Sequence, residues 1–205
     1  MISVNVQMLA EQKRIQRKQG RAARNALSPE QRTAFSGAIC RRVLELEAFR
    51  RAERVMLYAA FGAEADLTAL TGLAPEKQYY YPVCLPDCQI AAARPLGPEG
   101  WSVGEFGIRT PLLERSQVLP PEQLDLVLVP CTAFDRQCRR VGMGKGYYDR
   151  FLPRCVNAVS VGIAFDCQRT DRAAADEFDW PLDAYVTEKR LYVGKGGILT
   201  AELSE

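Results

Sequence analysis

Hydrophobic and polar positions alternate in blocks along this chain, and the blocks predict its elements. The stretch from about Met8 to Ala26 is polar and basic and reads as a helix closed by Leu27, Ser28 and Pro29. Ser28 then supplies a capping hydroxyl for a second helix, with Pro29 at its first position and Gln31 close behind, running to about Leu46. Val55 to Phe61 is an apolar run of strand length that ends at Gly62. Glu64 to Leu73 reads as a helix and Gln78 to Cys84 as a strand, while residues 86–123 are rich in Pro and Gly and hold short strand-like pieces such as Ile90 to Arg94. Leu124 to Val129 is the clearest buried strand, stopped by Pro130, and Tyr147 to Leu152 begins a helix that Pro153 limits. Val159 to Phe165 and Ala184 to Thr187 complete the strands. Near-continuous apolar strands among helices predict an α/β fold of three layers, with a largely parallel sheet flanked by helices. The chain shows no internal repeat, and 205 residues suit a single domain with a substantial core.

Composition narrows the chemistry. No apolar run reaches the roughly 18–20 residues of a membrane span, and the first residues lack the pattern of a signal or transit peptide. A cytoplasmic location is expected, and the seven cysteines (40, 84, 88, 131, 138, 155 and 167) agree, being odd in number and poorly paired. Cys84 and Cys88 are spaced CxxxC, but no second pair and no histidine completes a zinc site. Most of these thiols are expected to be small buried hydrophobes. The chain contains no histidine at all, which excludes Ser-His-Asp, Cys-His and His-metal chemistry. Carboxylates, lysine, tyrosine, a bound metal or positioning must carry any catalysis.

The stretch Arg140 to Arg150 is the most informative. Glycines stand at 142, 144 and 146, followed by Tyr147, Tyr148, Asp149 and Arg150. Three glycines in five residues cost conformational entropy, and the usual return is a main chain that exposes its N–H groups or lies against a ligand. The flanking cations Arg140, Lys145 and Arg150 make that ligand an anion, most simply a phosphate. The spacing is neither a dinucleotide fingerprint nor a Walker A loop, since Lys145 precedes glycine and tyrosine. A tight surface loop joining strand to helix is the plain alternative. On the functional reading the loop wraps a triphosphate, the helix from Tyr147 adds its positive end, and Asp149 reaches a Mg²⁺ on the same phosphates.

Charge is uneven. Residues 1–54 carry 12 Lys/Arg against 5 Asp/Glu, and the remainder 15 against 20. Lys13, Arg17, Arg21 and Arg24 share one side of the first helix. By itself such a row fits a solvated face or loose contact with RNA, and the lack of aromatics in residues 1–34 weakens the RNA reading. Glu64 and Asp66 follow a strand end, where α/β ligand sites lie, but they equally suit a helix N-terminus. Asp135 also follows a strand and can pair with a nearby arginine, and Asp179 lies in a turn-like segment.

Taken in order, these residues resemble the 5-formyltetrahydrofolate cyclo-ligase (methenyltetrahydrofolate synthetase) family. The motifs are Lys13…Arg17, Glu64-Ala-Asp66, the passage Val129 to Asp135, the loop Arg140 to Arg150, and the segment Glu177 to Glu188. The likeness spans roughly residues 13–192, and the glycine-tyrosine loop is its most specific part. It implies a fold of the NagB/RpiA/CoA-transferase type and an ATP- and Mg²⁺-dependent ring closure. In that reaction 5-formyltetrahydrofolate becomes 5,10-methenyltetrahydrofolate through a phosphorylated formyl group. By position, Lys13, Arg17 and the run Arg140, Val141, Gly142, Met143, Gly144, Lys145, Gly146, Tyr147 and Tyr148 correspond to nucleotide contacts. Ala59, Glu64 and the run Met143 to Tyr147 correspond to folate contacts, and Asp149 and Asp179 to magnesium ligands. Tyr147, Lys145 and Arg140 are the candidate catalytic residues, with Tyr147 orienting the formyl group and Glu64 bonding the pterin.

Cys131 and Cys138 replace glycines frequent in the family, and Phe178 replaces a frequent histidine, which touches the shape of the loop rather than any phosphate or metal ligand. The expected partner is a small folate, polyglutamylated or not, whose tail Arg21 and Arg24 could meet. Membrane and nucleic acid are not expected partners, and the chain is read as a monomer. Alternatives are a nucleotide- or RNA-binding protein of the same fold without turnover, and a sugar-phosphate isomerase or acyl-CoA transferase.

Overall fold

In the computed structural model, residues 2–104 and 107–194 are described. In chain order the elements are α1 (Ile2–Asn25), α2 (Pro29–Glu45), α3 (Glu47–Arg51), β1 (Arg54–Met56), α4 (Ala69–Leu73), β2 (Gln78–Leu85), β3 (Gln89–Pro95), β4 (Trp101–Val103), β5 (Arg109–Pro111), β6 (Ser116–Leu119), β7 (Leu126–Pro130), β8 (Ala133–Phe134), β9 (Arg140–Val141), α5 (Tyr147–Phe151), β10 (Val159–Ile163), β11 (Ala184–Val186) and β12 (Leu191–Val193). The main sheet has the order β12-β11-β10-β7-β1-β2-β3-β6. Its middle, from β11 through β10, β7 and β1 to β2, is parallel, and antiparallel strands close it at both ends.

Leu126 to Val129 are fully buried because both faces of β7 are covered. Alternate side chains go to opposite layers. Leu126 and Leu128 pack with Val55, Val161, Ile39, Val43 and Phe49 on the α2 side. Val127 and Val129 pack with Met56, Tyr80, Phe134, Phe151 and Tyr185 on the other. The two layers agree with the expected α/β architecture. The capping of α2 is also as expected: Gln31 N–H donates to Ser28 Oγ at 3.2 Å, and Ser28 N–H to Gln31 Oε1 at 2.9 Å.

Several boundaries move for local reasons. The strand expected over Val55 to Phe61 pairs only to Met56, after which Tyr58 O–H donates to Ala65 O at 2.6 Å and the chain turns back on itself. The helix expected from Glu64 begins at Ala69, because Asp66 Oδ1 accepts both the Thr68 N–H (2.8 Å) and hydroxyl (2.6 Å) in a turn that competes with helix. The Pro/Gly-rich segment forms β3, β6 and the β4–β5 pair, where Trp101 meets Tyr81 edge-on at 4.8 Å and the Arg109 guanidinium at 4.3 Å. Short, half-buried β12 was not expected. Among the described residues no helix is long and apolar enough to cross a membrane.

Candidate active site

Helix α1 lies over β8, β9 and the turn at residues 166–168, and one close approach sets its position. A Cβ on Gly20 would stand 2.0 Å from Thr132 O, so only glycine lets the helix backbone this near. Gln16 clips the same helix to the loop after β10, donating to Arg172 O and accepting from Ala174 N–H, both at 2.8 Å. The face that Gly20 turns inward also carries Lys13, Arg17 and Arg24. The solvated reading of the basic row therefore holds for Arg21, which is exposed, and fails for the other three.

Arg17 closes over the glycine loop. Its Nε donates to Gly142 O at 2.9 Å, and a Cβ on Gly144 would lie 3.2 Å from its guanidinium carbon. Gly144 and Gly146 have φ of 106° and 68°, while Met143 and Lys145 between and before them keep negative φ. Alternating hand in successive residues turns N–H groups to one side and forms an anion-binding concavity. Among the described residues nothing accepts a hydrogen bond from the N–H of residues 142–146. Lys145 and Met143 stand exposed on this loop. Helix α5 is only five residues long, so its dipole adds less than the sequence suggested, and side-chain cations with loop N–H groups supply most of the positive field.

The stem of the loop is fixed by Arg140, which is buried between Asp149 and the loop before β11. Its Nη2 meets Asp149 Oδ1 at 2.5 Å, its Nη1 donates to Trp180 O, and Trp180 N–H returns to Asp149 Oδ1 at 3.1 Å. Arg150 donates to the carbonyls of Lys145 (3.2 Å) and Gly146 (3.0 Å), bracing the turn from below. Lys13 reaches the same region, at 2.5 Å from Asp179 Oδ2 and 2.9 Å from Asp176 Oδ2. Burial works against the Lys13 charge, but hydrogen bonds to Asp179 and Asp176 outweigh it and raise its pKa. Asp149 and Asp179, the expected metal ligands, thus each hold a cation of the site through one oxygen. Their other oxygens, Asp149 Oδ2 and Asp179 Oδ1, have no hydrogen-bond donor among the described residues. No group of three acidic or thiol side chains able to hold a resident ion occurs among those residues.

Glu64 marks the other side. Its Oε1 lies 3.3 Å from Arg24 Nη1 and its Oε2 accepts the Phe61 N–H at 3.1 Å, in the turn after β1 that also carries half-buried Ala59. Burial lifts Glu64 above its ordinary value, while Arg24 and the Phe61 N–H pull it back. The Tyr148 hydroxyl is buried without a partner among the described residues, and burial together with the Glu64 charge pushes its pKa well up. Arg140 acts on that hydroxyl in the opposite sense. Tyr147 sits half-buried where the loop becomes α5.

Asp135 proves structural. Fully buried, it accepts Gln137 N–H, Arg139 N–H and Nε, and Ala173 N–H, and it organises the β8–β9 turn. Cys138 in that turn has φ 59°, a left-handed conformation that explains the glycine frequent there. Sequence reasoning missed Gln16, Gly20, Asp176 and the Trp180 main chain as site supports. Gln16 and Gly20 fall on the same helical face as Lys13, Arg17 and Arg24, which was the available signal.

Residues 9–188 match the model of the 5-formyltetrahydrofolate cyclo-ligase family. The chain is 33% identical over 168 residues to the 5-formyltetrahydrofolate cyclo-ligase of Haemophilus influenzae, covering 79% of this chain and 90% of that one. It is 32% identical over 181 residues to the Escherichia coli K12 enzyme of the same name, covering 84% and 98%. The solution structure of Aquifex aeolicus 5,10-methenyltetrahydrofolate synthetase superposes with a TM-score of 0.79 at 34% identity, covering 94% of this chain and 96% of that one.

Proposed function

The chain belongs to the 5-formyltetrahydrofolate cyclo-ligase family, and we propose that its site converts 5-formyltetrahydrofolate and MgATP to 5,10-methenyltetrahydrofolate, ADP and phosphate. The observation that carries this reading is the glycine loop itself. Five consecutive N–H groups, those of residues 142–146, have no acceptor among the described residues, and Arg17 and Arg140 flank them.

On this reading Lys13, Arg17 and the run Arg140 to Tyr148 hold the triphosphate. The remaining oxygens of Asp149 and Asp179 suit a Mg²⁺ that arrives on the phosphates, which needs only one or two carboxylates beside phosphate and water. Bound there, the ion would screen charge on the transferring phosphoryl group. The formyl group is an amide and a poor electrophile. Transfer of the γ-phosphoryl to its oxygen creates a leaving group, after which N10 attacks the formyl carbon, a C–N bond forms and phosphate departs. A site without histidine can run this chemistry by alignment and charge stabilisation. Tyr147 orients the formyl group, Lys145 and Arg140 neutralise developing charge, and Ala59, Glu64 and the 143–147 main chain hold the folate. The protein acts as one domain and a monomer, and exposed Arg21 is available to a polyglutamate tail.

The test is direct. Purified protein mixed with 5-formyltetrahydrofolate should produce the near-UV absorbance of the methenyl product only when both ATP and Mg²⁺ are present. Signal without ATP, or none with all components, would refute the reading. Tyr147→Ala retaining full turnover would remove the role given to that residue alone.

A further inference from the structure

Glu64 keeps its carboxylate in a place with little water, and one residue of α1 bears on that charge. The Arg24 and Glu64 side chains are 6% and 9% exposed. A carboxyl buried this deeply takes up a proton unless a cation stands by it. The other titratable groups that face Glu64 are Tyr58 beside β1, Cys131 after β7 and Tyr148 on α5, and burial pushes all three up, so they stay neutral near pH 7. Arg24 is thus the cation that acts on Glu64 among the described residues. A second observation is independent of this charge balance. Arg24 Nε–H is buried and donates to nothing among the described residues. Buried donors are almost always paired, and one left over beside a binding residue is completed by what binds there.

We propose that Arg24 is a positioning and specificity residue of the folate side: it holds Glu64 as an anion facing the adjacent N–H donors of the pterin ring, and gives its spare Nε–H to the carbonyl oxygen of the same ring. The inference rests on the folate reading above. An ionised carboxylate presents only acceptors and so matches two neighbouring N–H groups, whereas a protonated one sets its own O–H against one of them. Arg24, at the last turn of α1, thereby ties pterin recognition to the helix whose other end carries the phosphate ligands Lys13 and Arg17.

Two measurements on Arg24→Met test it. The first is titration of the Glu64 carboxyl in the protein alone, by isotope-edited infrared or carbon NMR, with Glu64→Gln assigning the signal. The second is affinity for 5-formyltetrahydrofolate without ATP from pH 6 to 9. Arg24→Met should protonate Glu64 at least about one pH unit higher, the size of shift that loss of a neighbouring charge produces. Folate affinity should fall with the ionised fraction that Arg24→Met loses, about tenfold for each pH unit below the shifted titration point, and recover towards pH 9, while MgATP affinity stays within about twofold. Arg24→Lys should restore most of both properties. Arg24→Gln gives the same comparison if the Met variant does not fold. Glu64 titrating unshifted in Arg24→Met while the wild type binds folate, or an affinity loss equal at every pH, overturns the role of Arg24. A shifted carboxyl together with no folate affinity in the wild type overturns the folate reading instead.

Discussion

Replacing Gly20 by alanine puts the assembly of the site to a quantitative test. The new Cβ would lie 2.0 Å from Thr132 O and 2.9 Å from its carbonyl carbon, where real Cβ contacts essentially never fall below 3.0 Å. Thr132 O is itself held, since Gln168 Nε2 donates to it and to Cys131 O, each at 2.9 Å. The helix must therefore move, by about 1 Å or more as the gap from 2.0 to 3.0 Å requires. Lys13 lies about 10 Å along the axis from Gly20 and Arg24 about 6 Å, at 1.5 Å per residue. A rigid shift of α1 reaches both, and the contacts of Lys13 (2.5 Å), Arg17 (2.9 Å) and Arg24 (3.3 Å) all stretch beyond hydrogen-bond length.

Stability and activity should then part. Helix propensity favours Ala over Gly by about 1 kcal/mol, and overpacking costs about 1–3 kcal/mol. The net loss is about 0–2 kcal/mol, or a Tm lower by no more than about 8 °C for a chain of this size. Misplacing substrate ligands by about 1 Å costs on the order of a hundredfold in rate. The expected result is a folded protein whose kcat/KM for ATP, read from methenyl absorbance, falls about a hundredfold by that same positional penalty. Gly37→Ala in α2 is the control, because its Cβ would meet only Arg41 Nη1 at 3.7 Å, and it should keep full activity. A Gly20→Ala protein with wild-type kcat/KM would refute the claim that this contact positions the cations.

Other variants separate the remaining roles. Lys13→Met should raise KM for ATP by about tenfold or more, as loss of a charge-assisted contact implies, and leave folate affinity unchanged in a binding assay. Asp125 accepts hydrogen bonds from Glu53 N–H, Arg54 N–H and the Arg54 guanidinium, pinning β1 to the start of β7. Burial pushes its pKa up, but these bonds outweigh it and hold it below 3.8, so its contribution is complete above that pH and disappears as pH falls through the folded value. Asp125→Asn should therefore unfold about 2 kcal/mol more easily at pH 7 in urea, a gap that closes in acid. At Cys138, glycine removes about 1–2 kcal/mol of left-handed strain and a buried side chain of similar worth, so Cys138→Gly should melt near wild type. A β-branched residue cannot take that backbone, and Cys138→Val should lower Tm by several degrees.

The layers and the special backbone of the glycine loop were legible because their signals are local. An apolar run such as Leu126 to Val129 states its own burial, Ser28 and Gln31 state their own cap, and three alternate glycines state a special backbone. What stayed illegible depends on side-chain pairings that periodicity does not register. Asp66 delays the expected helix to Ala69 because its carboxylate takes the Thr68 N–H and hydroxyl. The pairing of β4 with β5 is held in part by the Arg109 guanidinium over the Trp101 ring, with no alternation to betray it. The basic row on α1 was ambiguous for the same reason: Lys13 finds Asp179, Arg17 finds the Gly142 carbonyl and Arg24 finds Glu64, and nothing near them in sequence names those partners.

That arrangement has a consequence for how the proposed site accepts a highly charged nucleotide. Three of the phosphate-side cations already hold a partner: Lys13 has Asp176 and Asp179, Arg140 has Asp149, and Arg17 has a carbonyl. The nucleotide does not simply meet bare charge. As phosphate oxygens take Lys13 and Arg140, Asp149 and Asp179 lose their cations at the same moment, and two unpaired carboxylates beside a polyphosphate would repel it. Asp149 and Asp179 would hold a divalent ion carried by the phosphates, which would remove that conflict by pairing the two carboxylates again. On the proposed function, a dependence on both ATP and Mg²⁺ would then follow from the pairing of residues in α1, α5 and the loop before β11, with no residue needing a pKa near neutrality. A chain without histidine loses nothing by it.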